Sequence, residues 1–112
     1  MIDKDAIGEI IRTYQKHGWI LRRVLLSPEL KQKLAGNTSA LFGAADIADA
    51  EIDAAWFSRP PKSGGVAWEI RYLGELPFGL LENVDENDAE FEDKLKNIES
   101  RLRQTVTAKQ SA

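Results

Sequence analysis

The chain of 112 residues contains no cysteine, a single histidine and a single methionine. Without cysteine, disulfide bonds, thiolate catalysis and cysteine-ligated zinc are excluded. No apolar run approaches the roughly 18 residues that indicate a transmembrane helix, so we expect no membrane span. The first residues, Met1-Ile2-Asp3-Lys4-Asp5, are too acidic for a secretory signal, and a cytoplasmic location is therefore expected.

The charge of the chain is unevenly distributed. The formal net charge is −3 and the isoelectric point is near 5.2, which argues against a surface that binds nucleic acid as a whole. Residues 1–36 carry a net charge of +3, residues 37–93 a net charge of −10, and residues 94–112 a net charge of +4. Two basic ends around an acidic middle predict neutralisation within one fold. The same pattern leaves open an attraction between two copies of the chain.

Helical periodicity marks both ends of what we expect to be a single domain, residues 1–112. Near the N-terminus, apolar residues at three- and four-residue spacing predict a helix over 3–17, ended by Gly18. Near the C-terminus, one narrow apolar seam predicts a helix over about 86–106, followed by a frayed tail over 107–112. The apolar positions are Ile7, Ile10, Ile11 and Tyr14 in the first helix, and Phe91, Leu95, Ile98, Leu102 and Val106 in the second.

A strand and a short helix follow the first predicted helix. Residues 19–26 are β-rich, with Ile20, Arg22, Val24 and Leu26 expected on one face and Leu21, Arg23 and Leu25 on the other. Ser27-Pro28 then has the sequence of a helix start, because serine caps a helix and proline fits its first position. Residues 37–45 are expected to be a connector.

A three-stranded meander is predicted over residues 51–84. Residues 46–58 fit either a helical stripe or a strand, and we choose a strand over 51–59 preceded by a turn or short helix. The turn-rich segment from Arg59 to Gly65 separates this strand from a second tryptophan-containing run, a pattern typical of a hairpin. Two further strands are predicted over 66–73 and 77–84.

These elements predict an α+β fold. The expected architecture is an antiparallel sheet of about four strands, made of the meander 51–84 and the strand 19–26, with the N- and C-terminal helices packed on one face. Whether the strand 19–26 lies at the edge or in the middle of the sheet stays open.

No residue pattern indicates catalysis or a bound ion. His17 lies at a predicted helix end, where the helix dipole already accounts for it, and no partner for acid–base chemistry is placed beside it. The acidic stretches 46–53 and 85–93 lack the spacing of a calcium loop. The loop 58–65 lacks the residue order of a phosphate loop. We therefore expect no cofactor and no metal.

Aromatic and basic side chains are the candidate binding residues. Tryptophans could line a ligand cavity, although packing in the core explains them as well. The basic loop tip could contact an anionic partner, and a strand arginine could bind an anion or pair with nearby carboxylates. The candidates for contact with a ligand or a partner are Trp56, Trp68, Arg71, Arg59 and Lys62.

These features favour a non-catalytic interaction or accessory module, adaptor- or chaperone-like, whose partner is a second copy or another protein. Neither nucleic acid nor a membrane is expected as a partner. The alternative is a small-molecule-binding domain with a pocket between sheet and helices, lined by Trp56, Trp68 and Phe78. A third hypothesis is an enzyme that uses Glu69 or Glu82 together with Arg71.

Overall fold

The computed structural model describes residues 2–59, 66–74 and 78–111. Lys62, with the rest of the predicted loop tip, and Pro77, the predicted start of the last strand, lie outside these ranges. No helix in the described ranges is both long and apolar enough to cross a membrane. The elements are α1 (Lys4–Lys16), β1 (Ile20–Leu26), α2 (Pro28–Lys33), α3 (Thr38–Phe42), β2 (Asp46–Asp49), β3 (Ala54–Arg59), β4 (Ala67–Tyr72), β5 (Gly79–Asn83) and α4 (Phe91–Ser111).

The structure confirms the helix predicted near the N-terminus. A carboxylate oxygen of Asp3 accepts a hydrogen bond from the Ala6 backbone N–H at 2.8 Å, which satisfies one of the free donors at the helix start. Gly18 has φ +88°, the left-handed conformation that ends a helix at low cost in glycine. The chain thereby turns directly into β1.

Within the described ranges, the sheet has five strands in the order β2-β1-β3-β4-β5. The β1–β2 pair is parallel, and every other pair is antiparallel. The prediction of about four antiparallel strands is therefore only roughly right. Residues 46–49, predicted as a turn or short helix, form β2, because α2 and α3 act as the crossover that a parallel pair requires. The strand β1, whose place in the sheet was open, lies inside it.

The helices lie on opposite faces of the sheet, so the prediction that both terminal helices share one face is wrong. We call the face covered by α1, α2 and α3 the first face, and the face covered by α4 the second face. The central strands are apolar on both sides: in β3, Phe57 points to the first face and Trp56 to the second, and both are fully buried. A strand that is apolar on both sides needs a cover on each.

Two hydrophobic cores result. The first-face core consists of Ile2, Ile7, Ile11, Val24, Leu26, Leu30, Leu34, Phe42, Ala55, Phe57 and Leu73. The second-face core consists of Leu25, Ile52, Ala54, Trp56, Trp68, Ile70, Val84, Leu95, Ile98, Leu102 and Val106. The predicted apolar seams of both terminal helices are confirmed, because their residues are buried in these cores or packed against them.

A β-bulge alters the predicted faces of β1. The pairing with β3 shifts between Leu21 and Arg23, which leaves Arg22 as the extra residue. An extra residue breaks the alternation of side chains. The Arg22 guanidinium therefore lies 4.8 Å from the Trp68 ring centroid on the second face, rather than on the same face as Val24.

The last helix begins later than predicted. Residues 85–90 form turns in which the Asp85 carboxylate accepts from the Asn87 backbone N–H and the Asp88 carboxylate accepts from that of Glu90. Aspartates that bond backbone two residues ahead compete with helix formation. The helix α4 consequently starts at Phe91 instead of about residue 86. It continues to Ser111, beyond the predicted end at 106, and fraying of 107–112 stays a prediction.

Candidate binding cleft

A half-open cleft of about 890 Å³ lies between α1 and α3, beside the beginning of β1. We call it the α1–α3 cleft. Three segments form it: one side of α1, the residues from Trp19 to Arg22, and the segment from the end of α3 to the start of β2. The lining residues are Gly8, Ile11, Arg12, Gln15, Trp19, Ile20, Leu21, Arg22, Ala40, Leu41, Phe42, Gly43, Ala44, Ala45 and Asp46.

The cleft exists because β1 begins before its parallel neighbour. The ladder between β1 and β2 starts at the pair Arg23 and Asp46. The earlier residues Ile20–Arg22 therefore have β3 on one side and the cleft on the other. The bulge at Arg22 lies in this same stretch, and bulges bend a strand.

The opposite side of the cleft is formed by residues with little or no side chain. Ala40 lies in α3, and Gly43, Ala44 and Ala45 lie between α3 and β2. Gly43 has φ +58° and ends α3, which directs the chain towards β2. Small side chains here leave the volume of the cleft unfilled.

An aromatic group borders the cleft at Trp19. The Tyr14 ring stacks on Phe57 at 4.1 Å between centroids, and it meets Trp19 edge to face at 6.1 Å. The Tyr14 hydroxyl donates to the Glu69 carboxylate. Burial, followed by this hydrogen bond, raises the pKa of the Tyr14 phenol well above its ordinary value. Trp19 thus packs against Tyr14. The Arg59 guanidinium also lies over the Trp19 ring, 4.9 Å from its centroid.

The polar side chains of the cleft include cations, one anion and one neutral amide. Arg12 donates to the Glu9 carboxylate at 2.5 Å and keeps about 65% of its side chain exposed. Gln15 supplies an amide and Asp46 a carboxylate. The cleft therefore offers donors and acceptors beside apolar surface. Among the described residues, no three histidine, aspartate or glutamate side chains are grouped in a way that could hold a metal ion.

Two of the five predicted site residues are core residues. Trp56 is 0% exposed and Trp68 is 3% exposed, and their rings meet at 6.1 Å beneath α4. The lining of the α1–α3 cleft includes neither of them, since the cleft lies over the first face and both rings point to the second. Of the three tryptophans, it is Trp19 that lines the cleft.

The predicted arginines are placed differently. Arg59 lies against Trp19, next to the cleft. Arg71 is half-buried on β4, where its guanidinium donates to the Tyr72 carbonyl at 2.5 Å. Lys62 lies outside the described residues. Of the predicted set, the structure therefore brings only Arg59 near the cleft.

The carboxylates proposed for catalysis are separated by the sheet. Glu69 pairs with Leu81 on the first face, whereas Glu82 pairs with Trp68 on the second. Glu69 accepts from Tyr14, and Glu82 binds Arg101 of α4 at 2.6 Å. Arg71, the third residue of that hypothesis, shares the first face with Glu69, so the sheet separates it from Glu82.

The strand arginines of β1 find their partners outside the sheet. Arg22 binds Glu86 at 2.8 Å, and Arg23 binds Glu92 at 2.8 Å. The hydrogen bond from Arg23 holds the pKa of the Glu92 carboxyl below its usual value. Both arginines therefore pair with carboxylates, as expected for strand arginines, but these carboxylates do not lie on a neighbouring strand. The partners precede or begin α4, which crosses the second face.

Sequence reasoning missed most of the cleft. Residues 37–45 were predicted as a connector with two buried anchors, Leu41 and Phe42. Phe42 is buried in the first-face core and Leu41 packs against it, but the pattern did not indicate a cleft beside them. The available signal was the run of small residues from Gly43 to Ala45. A cleft depends on how far two segments diverge in space, which periodicity does not report.

No protein-family model matches this sequence, and neither curated proteins nor solved structures gave a match. The fold and the cleft define a small mixed α+β protein with a half-open cleft beside Ile20–Arg22, the stretch of β1 that pairs with β3 but not with β2. Any functional conclusion therefore rests on the geometry of that opening.

Proposed function

We propose that this protein is a non-catalytic interaction module of adaptor or accessory type, and that the α1–α3 cleft binds an extended peptide segment of a partner protein. The observation that carries the proposal is the stretch Ile20–Arg22, which pairs with no strand of the described residues on its cleft side. Unpaired strand edges accept extended peptides through backbone hydrogen bonds, a common mode of peptide recognition.

The chemistry of the cleft fits such a ligand. Trp19, which is half-buried, provides apolar contact for a side chain, and aromatic residues are enriched where proteins bind one another. The small residues Gly43, Ala44 and Ala45 on the other side of the cleft leave room for that side chain. Three strand residues span about 10 Å, so a short segment of the partner would pair directly. We therefore expect a peptide with at least one apolar side chain.

The proposal is tested by selecting binders from a displayed library of random nine-residue peptides and measuring their affinity by calorimetry. The variant Ala44→Trp fills the cleft at an exposed position. We expect it to weaken binding of the selected peptides at least about 10-fold, because the indole occupies the space of the ligand.

The matched control is Ala108→Trp, an exposed alanine on α4 across the sheet. It should bind the selected peptides as the wild type does. Peptides that bind wild type and Ala44→Trp equally, or a library that yields no binder, would overturn the proposal.

A second candidate function is small-molecule binding in the same cleft. Its volume of about 890 Å³ lies within the range of about 300–1,000 Å³ typical of small-molecule sites. The test is thermal stabilisation by a panel of nucleotides, amino acids and sugar phosphates. A compound that raises the midpoint of wild type but not of Ala44→Trp supports this candidate. A panel without such a compound argues against it.

A further inference from the structure

We propose that two copies of this chain pair antiparallel through the outer edges of their β5 strands, forming one continuous sheet around a two-fold axis at Leu81. This interaction surface is separate from the α1–α3 cleft and does not depend on its function. Among the strands of the described residues, β5 is the last in the sheet order, and β4 is its one neighbour there.

The β5 edge lacks the features that usually block edge-to-edge pairing. Natural edge strands are protected by lysine, proline or bulges. The five residues Gly79–Asn83 contain neither lysine nor proline, and their register with β4 is continuous. The opposite edge, β2, has four residues with exposed aspartates at both ends, Asp46 and Asp49. The aspartates of β2 are exposed at both ends of the strand, whereas the one acidic residue of β5, Glu82, is half-buried and paired with Arg101 of α4.

Leu81 is the most exposed large hydrophobic side chain of the described residues, at 61%. It pairs with Glu69 and so points to the first face, whose helices pack on the other half of the sheet. A second copy on the β5 edge would place its own Leu81 beside this one. The exposed apolar surface of both side chains would then be removed from water.

The backbone of β5 is oriented for this pairing. Tyr72 N–H donates to the Phe78 carbonyl, and Val84 N–H donates to the Val66 carbonyl. Because hydrogen-bonded positions alternate along an antiparallel strand, even-numbered residues of β5 direct their backbone groups towards β4. The backbone groups of Gly79, Leu81 and Asn83 therefore point to the free edge, where each would donate and accept across the axis.

The register follows from the sequence of the strand. An axis at Leu81 pairs all five residues, because Leu81 is the middle of Gly79–Asn83. An axis at Leu80 would pair fewer strand residues. An axis at Glu82 would place two glutamates opposite each other, and like charges in that position are destabilising. At Leu81, Glu82 faces Leu80 of the second copy and keeps its ion pair with Arg101.

The mass in solution tests the dimer. Sedimentation equilibrium between 1 µM and 1 mM should show the wild-type mass rising from 12.5 kDa towards twice that value. We expect Leu81→Lys to remain at the monomer mass throughout. Ile47→Lys, a matched change on the exposed side of β2, should behave as wild type. A wild type that is monomeric at 1 mM, or a dimer that survives Leu81→Lys, would overturn the proposal.

A disulfide tests the register independently. Residues paired across the axis have Cα atoms about 5.5 Å apart, within the range for a disulfide, and the chain has no other cysteine. Leu81→Cys should therefore form a covalent dimer under mild oxidation. Asn83→Cys is the control, since Asn83 faces Gly79 and its counterpart lies about 13 Å along the strand. Equal rates of cross-linking for the two variants would contradict this register.

Discussion

Trp56 and Trp68 lie side by side in the second-face core, but only one of them has a hydrogen bond for its indole. The Trp56 Nε1–H donates to the Glu99 carboxylate at 2.8 Å. The Trp68 Nε1 is buried and has no hydrogen-bond partner among the described residues. Burial raises the pKa of the Glu99 carboxyl, and the bond from Trp56 acts in the opposite direction. The two tryptophans are therefore similarly buried, but only the Trp56 indole gains a hydrogen bond in the folded state.

This difference predicts unequal costs for the same substitution. Trp56→Phe leaves the half-buried Glu99 without its donor, whereas Trp68→Phe removes a buried donor that was already unpaired. We expect Trp56→Phe to lower the free energy of unfolding by about 1–2 kcal/mol more than Trp68→Phe does. Urea unfolding of both variants at pH 7 measures this difference. An equal or reversed order would contradict the assigned hydrogen bond.

Tyr14 predicts an effect of pH. Its phenol pKa is raised in the folded state, mainly by burial, while the unfolded chain titrates near 10. The stabilisation from the Tyr14 proton is thus complete below pH 10 and is lost as the pH rises above it. Relative to Tyr14→Phe, we expect the wild type to be about 1 kcal/mol more stable at pH 7, with the advantage shrinking above pH 10. An advantage that does not change from pH 7 to pH 11 would contradict the raised pKa.

At the scale of single residues, the sequence predicted faces better than contacts. Alternation along the predicted strand 66–73 puts Trp68 and Ile70 on one face, and both residues are buried in the second-face core. It misplaced Arg22, because a bulge depends on the pairing with β3 and leaves no periodic signal. The partners of Arg22 and Arg23 were also missed, since they depend on where α4 crosses the sheet.

At the scale of elements, the junction between β1 and α2 depends on one carboxylate. Asp53 accepts from the Ser27 backbone N–H at 2.6 Å and from the Ser27 hydroxyl at 3.1 Å. The same hydroxyl oxygen accepts from the Leu30 N–H at 3.3 Å and caps α2. The sequence predicted the Ser27 cap, but alternation along the predicted strand 51–59 would direct Asp53 outward into solvent. Asp53 reaches Ser27 because β1 and β3 are neighbours in the sheet, and the sequence pattern does not report which strands are neighbours.

The junction predicts a contrast between two aspartates. Asp53→Ala leaves buried Ser27 donors without an acceptor, and we expect a loss of about 2 kcal/mol in the free energy of unfolding. Asp49→Ala removes an ion pair with Lys31 in which the aspartate side chain is 78% exposed, and we expect a loss below about 0.5 kcal/mol. Thermal and urea unfolding of both variants compare the two. Equal losses would show that Asp53 does not hold the junction.

The sequence predicted the helices whose apolar residues recur at helical spacing. It did not predict a strand that forms only by pairing with another strand distant in the sequence. The apolar seams of α1 and α4 predicted two helices, although the turns at Asp85 and Asp88 place the first residue of α4 at Phe91 rather than at about residue 86. The segment 46–49 carries no strand signal of its own, because Ile47 is exposed and Asp46 and Asp49 flank it. It forms β2 only because the α2–α3 crossover brings it beside β1.

At the scale of the whole molecule, segregated charge is neutralised within the fold, as the sequence predicted. Arg22 and Arg23 bind Glu86 and Glu92 of the acidic middle, and Arg101 of the basic C-terminal region binds Glu82. The sequence did not predict that these contacts fasten α4 to the second face. Placing α4 there leaves the cleft on the first face uncovered by the last helix.

The central claim is that a ligand occupies the α1–α3 cleft along Ile20–Arg22. The most direct measurement is a ¹⁵N–¹H NMR titration of the wild type with a peptide selected from the displayed library. We predict that the largest shift changes fall on the amides of residues 20–22 and 43–46. Changes centred instead on α4 or on the β4–β5 half of the sheet would contradict the account.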